Sequence, residues 1–292
     1  MKDAQLIATT NPEARANPMI WEGEEQAEGV FLSVQDDDPL ALLGTPSLQL
    51  PDAPRLPEDF DPSLALREWL HRVQQALADT AIDEQSRVLD MQTLDSVSRQ
   101  AVVEILGEGE VSGAVTLDGV RYAIHEAVLP GVWLVTGDDD SQRVEIATLP
   151  QAMRDAADSL QLAPFDVPAF DGLMNAPADL AEISDRASRW QHAQPNHVVN
   201  FTLLPMNELD QRTVRELLAR ADLELESGGF GRCRVYATRF RHVWAVQFLN
   251  ALGHTILDTI EVGGPPSAIL ASREDFEDSG SRLSEILETY LQ

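Results

Sequence analysis

An ordered series of local features occurs twice along this chain, offset by about 111 to 122 residues, and this constrains the fold more than any single motif does. In the first pass Leu94-Asp95 opens a helical stretch, and Gly107-Glu108-Gly109-Glu110 follows it. Val132-Trp133-Leu134-Val135, Glu145-Ile146 and Pro150 come next, ahead of a second helix. In the second pass Leu209-Asp210, Ser227-Gly228-Gly229-Phe230-Gly231, Val243-Trp244-Ala245-Val246, Glu261-Val262 and Pro265-Pro266 keep the same order. A collinear repeat of this length reads as an internal duplication. The shared features are glycine turns, a strand Trp and strand patterns, and the acids among them form no catalytic or metal-ligating motif. They describe a scaffold that binds something, not a reaction centre. The expected fold class is α+β, with two similar halves from an internal duplication. Each half would be a small, mostly antiparallel sheet packed with helices.

Hydropathy periodicity fills in the elements. Leu66, Trp69, Leu70, Val73 and Leu77 recur at helical spacing after Asp61-Pro62-Ser63, a helix-start pattern. Helices are predicted near 96–106, 150–160, 211–221 and 274–291. Strands are predicted near 113–117, 121–127, 132–136, 143–147, 232–238, 243–250 and 256–262. Val88–Met91 and Phe201–Pro205 read as matching short strands. Residues 1–60 form an acidic, Pro-rich arm, expected to be irregular or disordered, because dense prolines remove backbone donors. The first repeat domain follows over 61–163. A linker with a short helix covers 164–197, and the second repeat domain covers 198–292. Two domains also suit a chain of 292 residues.

Charge narrows the function classes. The formal net charge is −28, with 49 acidic residues against 21 basic ones. That excess argues against a phosphate-gripping nucleic-acid face and against docking on anionic lipid. It suits a basic partner, drawn in by long-range attraction. The single cysteine, Cys233, excludes an internal disulfide framework and a cysteine-built zinc site. No apolar run reaches the roughly 20 residues that cross a bilayer, and the start of the chain lacks a signal-peptide layout. The expected location is the cytoplasm, without membrane insertion.

A search for chemistry returns no catalytic, cofactor-binding or metal-binding residues. There is no Walker loop, dinucleotide fingerprint, Gly-x-Ser-x-Gly elbow or His-Glu-x-x-His pair. The six histidines have no helical i, i+3 or i+4 spacing among them. The glutamates in Gly107–Glu110 would repel a phosphate, so that segment reads as a structural turn. Gly228–Arg232 reads chiefly as a tight turn, and Trp133 and Trp244 as strand residues of the core.

Several motifs taken together resemble the HupH/HyaF family of hydrogenase expression/formation proteins. They are Gly107–Ser112, Pro130–Trp133, Asp171–Asn175, Asn200–Pro205, Gly229–Gly231, Arg241–Trp244, and Glu274–Ser279 with Arg282-Leu283. The resemblance spans about residues 64–291. It implies a non-enzymatic accessory chaperone for nickel–iron uptake hydrogenase. The implied partner is the iron–sulfur small-subunit precursor, which carries a twin-arginine signal, bound before export. A thioredoxin-like accessory protein is the second implied partner. The resemblance carries over no catalytic residues and no cofactor. Two stretches are not explained by strands alone and are the expected partner contacts: Asp171, Gly172, Leu173, Met174 and Asn175, and Gly228, Gly229, Phe230, Gly231 and Arg232. An acidic interaction module of another pathway, or an enzyme whose site is assembled only in three dimensions, is also compatible with the residues.

Overall fold

In the computed structural model, residues 60–228 and 231–290 are described. The arm before residue 60 lies outside them. Helix α1 (Leu64–Asp83) begins where the Ser63 side chain accepts the Leu66 N–H at 3.2 Å. Its apolar stripe, Leu66, Trp69, Leu70, Val73 and Leu77, is fully buried. The chain continues through β1 (Arg87–Asp90), α2 (Ser96–Leu106), β2 (Val111–Leu117), β3 (Val120–Glu126), β4 (Val132–Gly137), β5 (Gln142–Ile146) and α3 (Gln151–Asp158). The second half runs through α4 (Ala176–Arg189), β6 (His197–Asn200), α5 (Glu208–Leu217), β7 (Arg220–Ser227), β8 (Arg232–Thr238), β9 (Val243–Leu249) and β10 (Thr255–Val262). A 3-10 turn (Ser267–Ile269) and α6 (Arg273–Tyr290) close it.

The fold is α+β, and its strands form one sheet of ten in the order β1-β5-β4-β3-β2-β7-β8-β9-β10-β6. All the pairings are antiparallel. This corrects the expectation of two separate small sheets. Strands β2 and β7 pair edge to edge, from Val111 opposite Ser227 to Val115 opposite Leu223. Each set of strands thus covers an edge that the other would leave open.

The two halves share one connectivity: helix, strand, helix, four-strand meander, helix. In each, the leading strand lies beside the last strand of the meander. The register agrees as well. Trp133 lies opposite Glu145, and Trp244 opposite Glu261. Before each Trp strand sits a residue with positive φ, Gly131 at 81° and His242 at 66°. Its carbonyl accepts a backbone N–H from just past the following strand, Ala147 at 3.0 Å and Gly263 at 2.8 Å. Gly113 and Leu225, at corresponding places in the two meanders, pair with each other where the halves meet. A Cβ on Gly113 would sit 2.1 Å from the Glu224 carbonyl oxygen. Only glycine fits this close approach of two backbones.

Side-chain alternation divides the core between the two faces of the sheet. On one face α1, α2 and α6 cover Leu89, Val132, Val144 and Ile146. On the same face α4 and α5 cover Val199, Val243, Ala245 and Ile260 at the other end. On the opposite face α3 and the 3-10 turn lie over Val115, Ile124, Trp133, Leu223, Val235 and Trp244. Helix α6 belongs by sequence to the second half, yet it packs on α1. There Phe276 is buried, the Ser279 hydroxyl donates to the Pro130 carbonyl at 2.9 Å, and Gln74 donates to Ser284 at 2.7 Å.

Two sequence expectations fail for physical reasons. The helix predicted over 211–221 ends at Leu217, and β7 follows at once. Its Glu and Leu residues favour helix locally. Pairing on both sides overrides that preference, burying Leu223 and Leu225 while Asp222 and Glu224 face water. The second error is the strand over Phe201–Pro205. The strand is His197–Asn200, and the chain then turns through Phe201–Leu204.

Candidate partner-binding site

Two loops meet at the start of α5, and a buried carboxylate joins them. Asn207 caps α5 by accepting the Asp210 N–H at 2.8 Å, while the Asp210 carboxylate accepts the Asn207 N–H at 3.3 Å. The two bonds make a reciprocal cap. Asp210 also reaches the linker. It accepts backbone N–H groups from Met174 at 2.9 Å, Ala176 at 3.2 Å and Asn175 at 3.4 Å. Burial alone would raise its pKa. The N–H groups of Met174, Ala176, Asn207 and Asn175 outweigh burial and hold it below the ordinary carboxylate value. It is therefore an anion fixed in a nest of donors.

Two amides complete the junction. The Asn207 side chain donates to the Gly172 carbonyl at 2.9 Å, and the Asn175 side chain donates to the Pro205 carbonyl. From the other side, the Thr202 hydroxyl accepts the Asp258 N–H at 2.7 Å, and the Phe201 N–H donates to the Asp258 carbonyl at 2.9 Å. The 171–175 turn and the 201–207 segment are thus anchored to each other and to β10. Phe201 is buried in the core, but three other large apolar side chains on or beside these loops are not drawn into it. Phe170 is 52% exposed, Met174 63% and Leu203 77%.

The second expected contact is the β7–β8 hairpin turn. Gly228 donates to the Glu110 carbonyl at 2.8 Å, which ties the turn to the Gly107–Glu110 segment. Gly229 and Phe230 lie outside the described residues. Gly231 has a φ of 97°. Arg232 and Arg234 both bond the Glu226 carboxylate, at 2.7 and 2.8 Å from their Nε atoms. Burial raises the Glu226 pKa, but the two guanidinium groups pull it below its ordinary value. The two expected stretches are therefore anchored to different parts of the fold, one to α5 and one to the start of β2. Sequence reasoning misses Leu203, because Phe201–Pro205 reads as strand. The nearby Asn207 cap leaves too few residues for a strand end and a helix entry, and that spacing was a usable signal.

The groups with catalytic potential are placed structurally. Burial, with a contribution from the Glu261 charge, pushes the Cys233 thiol up to about 11, opposite to an activated thiolate. His242 is held below its ordinary pKa by burial and by Arg241, and its ring lies 4.4 Å from that of Trp190. A cleft of about 590 Å³ beside Trp190 contains Arg186, Arg189 and His197. There the His197 ring meets Glu182 at 2.9 Å, Arg186 meets Glu182 at 3.7 Å, and Arg189 meets Asp185, so both guanidinium groups already face acids. Among the described residues no group of three His, Cys, Asp or Glu side chains is arranged to hold a metal. No helix among them is long and apolar enough to cross a membrane.

Comparison with known proteins places the chain. Residues 173–290 match the family model for the HupH hydrogenase expression protein, C-terminal conserved region. The hydrogenase expression/formation protein HupH of Rhizobium leguminosarum bv. viciae is 38% identical over 229 residues, which is 76% of this chain and 81% of that protein. The chain belongs to this family of hydrogenase expression/formation proteins. Family members of other names are similar too. HoxQ of Azotobacter vinelandii is 39% identical over 75% of this chain and 80% of its own length. The hydrogenase-1 operon protein HyaF of Escherichia coli (strain K12) is 32% identical over 68% of this chain and 71% of its own. The family model begins at Leu173, inside the turn that Asp210 holds, so the anchored loops fall almost wholly within the matched region.

Proposed function

We propose that this protein is a non-enzymatic accessory factor in hydrogenase maturation, acting in the cytoplasm as a chaperone for the iron–sulfur small-subunit precursor before its export. The observation that carries the reading is the family relationship over three quarters of the chain, to proteins named for hydrogenase expression and formation. The geometry supports a binding role. Its best-organised polar cluster, around Asp210, is engaged in fixing loop shape and has no nucleophile in it. The working face includes Asp171–Asn175, with Gly228–Arg232 as a second contact, and a thioredoxin-like accessory protein is a further partner. The protein works without a resident metal or organic cofactor. Its two halves descend from one duplicated unit, a history supported by the shared connectivity and by the matching Trp–Glu pairs. The test is co-purification of the full chain with the small-subunit precursor, alongside elemental analysis. Recovery of the precursor at low salt supports the reading. Failure to recover it, or stoichiometric iron, nickel or zinc in protein purified alone, refutes the corresponding part.

A further inference from the structure

We propose that an acidic segment of this chain's own arm, Asp36–Leu43, docks on the uncovered middle of the sheet. On one face, helices cover the sheet only at its two ends: α1, α2 and α6 over β1, β5 and β4, and α4 and α5 over β9, β10 and β6. Strands β2, β3 and β7 contribute no residue to either of these cores. The strands that bound the gap, β4 and β8, lie four strand spacings apart, about 19 Å. A space of that width between two sets of helices takes one further segment, about 10 Å across if it is helical. Side chains alternate along each strand, and Val115, Ile124 and Leu223 are buried on the opposite face. The floor of the gap is therefore Ala114, Thr116, Arg121, Ala123, Asp222 and Glu224. The small side chains of Ala114 and Ala123 lie opposite each other. Beside them Arg121, Arg220, Asp222 and Glu224 line a hollow of about 330 Å³.

Charge and reach select the occupant. The floor and its β8 margin present Arg121, Arg220, Arg232 and Arg234 against Asp222, Glu224 and Glu226. Four cations against three acids leave a positive excess here, in a chain of net charge −28. The pairs are open to water, with Arg121 55% and Asp222 67% exposed. Exposed pairs hold weakly and admit a further carboxylate. Residues 1–59 carry twelve acidic residues against three basic ones. Among them Asp36-Asp37-Asp38 directly precedes Pro39-Leu40-Ala41-Leu42-Leu43. The acids complement the arginines, and the leucines suit the alanine floor. The arm also joins the body at the matching end of the sheet. Ser63 Oγ lies 3.3 Å from Ser98 Oγ in the first turn of α2. Gln92, just ahead of α2, donates to the Asp140 carbonyl at 3.5 Å. In the same hairpin the Asp138 N–H donates to the Arg121 carbonyl at 3.0 Å. Residues 44–59 reach up to about 55 Å when extended, enough to lay 36–43 along the floor. A second copy of this acidic chain is disfavoured as the occupant, because its whole body carries the same sign of charge.

The test is photo-cross-linking within the full-length chain. Benzoylphenylalanine replaces Ala123, a small exposed residue, and the variant is first shown to keep the wild-type melting profile. If it does not, the probe moves to His125, exposed on the same strand and face. Irradiation at high dilution, followed by mass spectrometry of the monomer, should give an intramolecular cross-link to the arm, centred on residues 36–43. The same probe at Leu252, exposed on the turn between β9 and β10, should not capture the arm. Replacing the three acids together, Asp36→Lys, Asp37→Lys and Asp38→Lys, alters only the arm and leaves the body as it is. It should cut the cross-link yield at least about fivefold. An unchanged yield in that triple variant would overturn the proposal, as would equal capture of the arm from position 252. So would a cross-link from the sheet only to a second copy, or none to the arm from the folded protein. No partner protein takes part in this assay, so its outcome is separate from that of the maturation reading.

Discussion

Two buried carboxylates set the pH response of this fold. Burial raises Glu126 to about 7, against the pull of the Gly131 N–H and with help from Asp275 and Glu110. Burial raises Asp258 to about 7 as well, against pulls from Gln247 and Arg215. Each has a folded pKa above its unfolded one. Its contribution is fully present below about pH 4, and it is lost as pH rises through about 7. Asp210 has the opposite sign. Its folded pKa is depressed, so its contribution is present above about pH 4 and lost in acid. Stability should therefore peak in mildly acidic solution and fall between about pH 5 and pH 8, by about 2–3 kcal/mol for each raised carboxyl. Thermal melts across that range check this, and Glu126→Gln or Asp258→Asn should flatten the slope; an unchanged slope in both would refute the assignment. Asp210→Ala should cost about 2–4 kcal/mol, because it strands the N–H groups of Met174, Asn175, Ala176 and Asn207. Hydrogen exchange at 173–176 should accelerate in that variant. Asp210 was legible in the sequence only as a helix opener. Apart from Asn207, its partners lie more than 30 residues upstream, and no local pattern encodes those contacts. The burial of Glu126 and Asp258 was equally hidden, since 49 acids offer no local mark of which ones the fold encloses.

At the scale of elements, the join between β2 and β7 is the most exacting feature. Gly113→Val would drive side-chain atoms into the Glu224 carbonyl and the Leu225 backbone. The expected result is a loss of several kcal/mol, about 3 or more, or no folded protein at all, read from chemical denaturation. Gly119→Ala, at a hairpin turn with open space around it but a φ of 84°, should cost only its backbone strain, about 1–2 kcal/mol, and serves as the smaller comparison. The elements that were legible had one strong period. Helix α1 showed a continuous 3.6-residue stripe, and β8 and β9 showed β-branched and aromatic runs between turns. Strand β7 was not legible, because its alternation is written in Leu and Glu, residues of high helix propensity, and only pairing on both sides makes it a strand. The repeat told which elements correspond, but not that the two sets of strands would meet edge to edge. That depends on a backbone approach which a single glycine permits.

For the whole molecule, charge and connectivity make separate predictions. Because α6 returns to pack on α1 and one sheet runs through both halves, unfolding should be a single transition. With a net charge of −28, association with a basic partner should slow as salt rises. Stopped-flow association rates at about 50 and 300 mM salt would register this, with dissociation nearly unchanged. In the function proposed above, this chain is a binding scaffold for a hydrogenase precursor and the Asp210-anchored loops form its working face. The most direct measurement is capture of the small-subunit precursor by wild type, Leu203→Glu and Met174→Glu proteins, each first verified as folded. The account predicts clear capture by wild type at low salt and loss of most of it in both variants. Capture by the folded variants equal to wild type would contradict the assigned face, and no capture by wild type would contradict the scaffold reading itself.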